Sequence, residues 1–85
     1  MEKKPPFCDA AIYVEGRWYY LYKNGPLKDY PYMVDAETGE IPYMNQRPLL
    51  RHFLIDNGAD IEPWEKRTTH WCIREAIKIA TENNN

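Results

Sequence analysis

The stretch that decides the fold is Ala10-Ala11-Ile12-Tyr13-Val14-Glu15-Gly16-Arg17-Trp18-Tyr19-Tyr20-Leu21-Tyr22. Ala10 to Val14 and Arg17 to Tyr22 read as two strands, because aromatic and β-branched residues fit a pleated surface. Glu15-Gly16 between them is a tight turn that makes the pair a β-hairpin. Lys23-Asn24-Gly25-Pro26 then closes the second strand with a strong breaker. Successive side chains on a strand point to opposite faces, so Trp18, Tyr20 and Tyr22 are expected on one side and Arg17, Tyr19 and Leu21 on the other. Rings must therefore occupy both faces, and some tyrosines are expected to be exposed.

Working outward, Tyr30 to Asp35 and Glu40 to Met44 flank Ala36-Glu37-Thr38-Gly39, which predicts a second hairpin whose glycine supplies a positive φ. Pro31 and Pro42 each remove a ladder donor, which places these strands at a sheet edge. From Asn45 the period changes. Asn45 or Gln46 ahead of Pro48, followed by Leu49, Leu50, Phe53 and Leu54, predicts a helix ended by Gly58. A last helix, starting at Pro63 or at Thr69 and running to about Glu82, puts Ile73, Ala76, Ile77 and Ala80 on one stripe widened by Cys72 and Ile79. The fold class expected is α+β: a small antiparallel sheet of two β-hairpins followed by two α-helices packed on one face, with the other sheet face open. The 85 residues make a single small domain. Residues 1–8, with Pro5 and Pro6, are an expected extended lead-in, and 83–85 an expected frayed tail.

Composition removes several function classes. Thirteen acidic and 11 basic residues spread along the chain, with a formal charge of -2, lack the concentrated basic face of a phosphate-driven DNA binder. Cys8 and Cys72 lie far apart without a CxxC partner and read as reduced thiols, and neither a membrane span nor a signal peptide is evident, which points to the cytoplasm. The chain has no serine. His70 and Cys72 sit two apart on the predicted helix and face different ways, so that histidine is poorly placed to activate the thiol, and Cys72 reads as a small core residue. Cys8, His52, His70 and Cys72 lack the close ligand pairs of zinc sites, and His52 reads as a solvated ring edging the first helix. Asp35, Glu37 and Glu40 read as a solvated turn rather than as catalytic carboxylates or a cation site. No metal or cofactor is expected.

What remains is the aromatic tract, since all seven tyrosines lie between Tyr13 and Tyr43. Such a patch is either a core made of rings or a surface that grips a partner. Arg17, Lys23 and Lys28 interleave with the rings as they do in single-stranded nucleic-acid binders, but Asp29, Asp35 and Glu37 dilute that charge. Protein interfaces favour the same residue types and tolerate mixed charge at the rim. Trp18, Tyr20, Tyr22, Tyr30 and Tyr32 are accordingly the contact candidates. Trp71 falls opposite the Ile73 and Ile77 stripe; it either packs back on the loop carrying Trp64 or, with Arg74, forms a second contact patch.

Two local resemblances accompany this reading. Leu54-Ile55-Asp56-Asn57-Gly58-Ala59-Asp60-Ile61 is similar to the end of an ankyrin repeat's second helix, a shared way of capping a helix. The C-terminal segment carrying Trp71, Ile73, Arg74, Ile79, Ala80 and Glu82 resembles the tail of phage restriction-alleviation proteins. The general profile is similar to small phage-encoded antagonists of host defence, a class that includes anti-CRISPR proteins. That resemblance implies a non-enzymatic protein-binding module that sterically blocks a bacterial CRISPR or restriction complex in the host cytoplasm. The competing expectation is a single-stranded nucleic-acid binder using an aromatic sheet face. Either form is expected as a monomer, or as a homodimer through open sheet edges.

Overall fold

A computed structural model describes residues 8–25 and 30–83. The expected lead-in and frayed tail, apart from residues 8 and 83, lie outside the described residues, as does Lys28. The first hairpin forms as the sequence predicts: β1 (Ala10–Val14) pairs antiparallel with β2 (Arg17–Tyr22), with Val14 opposite Arg17 and Ala10 opposite Leu21. Its turn holds Glu15 at φ 55° and Gly16 at φ 78°. Positive φ at both central residues is the backbone that matches the twist of two adjoining strands.

The second hairpin is corrected. β3 (Tyr32–Asp35) pairs with β2, giving a three-stranded antiparallel sheet in the order β1-β2-β3, but Glu40 to Met44 forms no fourth strand. The turn itself closes, with the Asp35 N–H donating to the Glu40 carbonyl and the Gly39 N–H to the Asp35 carbonyl, both at 2.8 Å. Beyond it the donors are spent locally: the Tyr43 N–H reaches Ile41 O at 2.8 Å and the Asn45 N–H reaches Pro42 O at 2.9 Å. Pro42 has no N–H to offer a ladder, so the chain coils into the next helix instead. β3 also starts two residues later than expected, after the buried, donorless Pro31.

Helix α1 spans Gln46–Asp56. Pro48 is tolerated as its third residue because N–H groups of a first turn have no partner within the helix. Gly58, at φ 80°, terminates the helix by donating to Ile55 O at 3.0 Å, and the Ala59 N–H reaches Leu54 O at 2.9 Å. Of the two starts considered for the last helix, the later one is used. A single 3-10 turn (Trp64–Lys66) precedes α2 (Thr69–Asn83), whose first turn is capped by Thr68 Oγ1 accepting the Trp71 N–H at 3.0 Å.

Both helices pack on one face of the sheet. Leu21, Met33, Leu50, Leu54, Cys72, Ile73 and Ala76 are wholly removed from solvent, joined by Ala10, Ile12, Val14 and Tyr19 from the same sheet face. Each large side chain among them contributes roughly 1.5–3 kcal/mol of burial free energy. The class is α+β, with three strands and two helices.

Candidate binding surface

Burying Ala10, Ile12, Val14, Tyr19, Leu21 and Met33 under the helices sends their strand neighbours the other way. Register aligns these neighbours in rows. Tyr13 stands opposite Trp18, Ala11 opposite Tyr20 opposite Val34, and Tyr22 opposite Tyr32. Tyr13 and Trp18 meet with ring centroids 5.3 Å apart at 59°, and Tyr22 and Tyr32 stack at 4.6 Å and 8°. Cross-strand ring pairs of this kind stiffen a sheet as well as decorating it. The face thus carries five rings and two small apolar side chains, with no charged group among these positions. Tyr13 is 57% exposed and Trp18 36%, while Tyr20, Tyr22 and Tyr32 are partly exposed.

Four of the seven candidate contact residues, Trp18, Tyr20, Tyr22 and Tyr32, therefore converge. Tyr13 belongs with them and was missed. The turn could have revealed it, because a two-residue Glu15-Gly16 loop sets Tyr13 directly across from Trp18. Tyr30 goes elsewhere: it precedes β3 and stacks on His70 of α2 at 4.7 Å. Trp71 is half-buried against the edge of the core, and the Arg67 guanidinium lies 4.4 Å from its ring centre, so it packs back on the connection that carries Trp64. Arg74 is exposed and lines a groove with Lys23 and Lys78.

The acidic turn is corrected at Asp35, while Glu37 and Glu40 are exposed as expected. Asp35 is not solvated but buried, accepting Arg17 Nε at 2.8 Å and the N–H groups of Glu37 at 2.8 Å and Thr38 at 3.2 Å. The Arg17 hydrogen bond holds this carboxyl below its ordinary range, outweighing the opposing effect of burial. Arg17, raised in turn by the same bond, also reaches Glu37 at 2.8 Å. A polar latch thus ties β2 to the β3 turn on the helix side. Burial pushes the hydroxyls of Tyr19 and Tyr22 up, so both stay protonated at neutral pH.

Among the described residues, the remaining chemistry-bearing groups lie apart from one another. Cys72 is fully enclosed and its thiol is pushed up by burial, while the Cys8 Sγ–H donates to the Ala10 carbonyl at 2.8 Å. His52, largely exposed, sits 3.5 Å from Glu15. Among the described residues no three His, Cys, Asp or Glu side chains converge as a metal-ligand set, and no helix is long and apolar enough to cross a membrane. Compared with known proteins, the chain matches no protein family, no curated protein and no solved structure.

Proposed function

We propose that the protein is a non-enzymatic protein-binding module that docks through its helix-free sheet face. The observation that carries this reading is the row of five rings, Tyr13, Trp18, Tyr20, Tyr22 and Tyr32, with no charge among them. Interface centres are rich in tyrosine and tryptophan and poor in charge, and rings held by cross-strand packing lose little entropy on binding. A single-stranded nucleic-acid binder needs cations beside its stacking rings to follow the phosphates. Among the described residues, Arg17 is committed to Asp35 and Glu37, and Lys23 lines a groove with α2. On the similarity of its C-terminal segment to phage restriction-alleviation proteins, the partner proposed is a bacterial defence complex, blocked by steric occlusion.

Tagged protein incubated with bacterial lysate, with and without nuclease and across a salt series, tests this. The expected result is a defined protein complex that survives nuclease and high salt and is lost with Trp18→Ala or Tyr20→Ala. An anchor ring should be worth about 2 kcal/mol or more, roughly thirtyfold in Kd, with the circular dichroism of the variant unchanged. Recovery of nuclease-sensitive, salt-labile material alone would give the face to nucleic acid and end the proposal.

A further inference from the structure

A groove of about 490 Å³ runs between the Asp9 and Lys23 end of the β1–β2 pair and the flank of α2 that carries Arg74, Ile77, Lys78 and Thr81. Three cations border it: Lys23, just beyond β2, and Arg74 and Lys78, one turn apart on α2. None of them forms a salt bridge to a described residue. Among the described residues that line it there is one carboxylate, Asp9, and its Oδ2 is engaged by the Lys23 backbone N–H at 2.8 Å. Ile77, only 3% exposed, closes the floor of the groove from the core side.

Three exposed cations against a single engaged carboxylate among the described residues lining it make the groove electropositive, which stands out in a chain of net charge -2. We infer that this groove is a docking site for an acidic peptide segment of a partner protein, with glutamate or aspartate carboxylates on Lys23, Arg74 and Lys78. Among the described residues no ring borders the groove, so bases find no described ring to stack on. Charge complementarity with the three cations favours an acidic peptide. The site is independent of the ring face and stands or falls without it.

The probe is the peptide Glu-Glu-Leu-Glu-Glu, titrated into the isotope-labelled full chain and followed by backbone amide shifts, with oligo(dT) and inorganic phosphate as parallel titrants. Expected are saturable shifts centred on Lys23, Asn24, Arg74 and Lys78, weakened at least tenfold by the R74E/K78E double variant. Lys23→Glu, on a different element, should weaken binding as well, which guards against a helix variant that fails to fold. Trp18→Ala should leave the peptide affinity unchanged, so failure of this site and failure of the ring face are told apart. The inference is overturned if the peptide gives no saturable shift, if the shifts map elsewhere, or if oligo(dT) or phosphate binds these residues as tightly as the peptide.

Discussion

Asp35 reads as one more acid in a polar turn, yet it is the buried polar residue that joins β2 to the loop after β3. Its three hydrogen bonds stabilise the ionised form, so its folded pKa lies below the unfolded value of about 3.9. The stability it adds is therefore fully present above that unfolded value and is lost as pH falls through the lower folded one. Asp35→Ala should cost about 1–3 kcal/mol near pH 7, since the N–H groups of Glu37 and Thr38 lose their acceptor. Urea unfolding of both proteins from pH 7 down to pH 2 checks this. The gap between them should hold constant to about pH 4 and shrink below it; a gap independent of pH would mean that the carboxylate's charge is irrelevant.

Within the first hairpin, Glu15 adopts a left-handed backbone that side-chain-bearing residues other than asparagine and aspartate resist. Glu15→Asn should raise stability by about 0.5–1 kcal/mol, read as an upward shift of Tm, because its contact with His52 is exposed and contributes little. An unchanged or lowered Tm would place the turn's stability elsewhere. The connection between the helices relies on a different device. Arg47 of α1 donates from Nε to Arg67 O and from Nη2 to Trp64 O, each at 2.9 Å, while its guanidinium lies 4.3 Å from the Trp64 ring centre. Lysine cannot reproduce that fork. Arg47→Lys should cost roughly 2 kcal/mol, and hydrogen exchange should quicken selectively over residues 61–68. If exchange there is unaltered, the clamp is not what orders the connection.

For the molecule as a whole, the layered arrangement separates two tasks. One sheet face, with the helices, makes the core; the other presents rings that also brace the strands against each other. Substituting Tyr20 alone, flanked by Ala11 and Val34 rather than by a ring partner, should disturb folding least and binding most, whereas Tyr22→Ala also breaks a stacked pair worth about 0.5–1.5 kcal/mol. Thermal melts alongside affinities for the captured partner separate the two effects. Equal destabilisation by both substitutions would argue that the face is merely structural.

Much of this was legible along the chain. Alternation in Arg17–Tyr22 placed Trp18, Tyr20 and Tyr22 together, and the spacing of Leu50 with Leu54 and of Ile73 with Ile77 located both helix faces, because period-two and near-four patterns are local consequences of backbone geometry. Turn chemistry was legible for the same reason at Gly16 and Gly58, where positive φ is a property of one residue. The missing fourth strand was not, since a strand exists only if its donors find a partner, and those of Tyr43 and Asn45 turn back on their own loop. Nor could spacing distinguish Tyr30 against His70 from Tyr32 on the open face, or gather Lys23 with Arg74 and Lys78 across about 50 positions of chain. Those pairings depend on how a sheet end and a helix settle over a shared core, and contacts between distant segments are set by packing in three dimensions rather than by any local period.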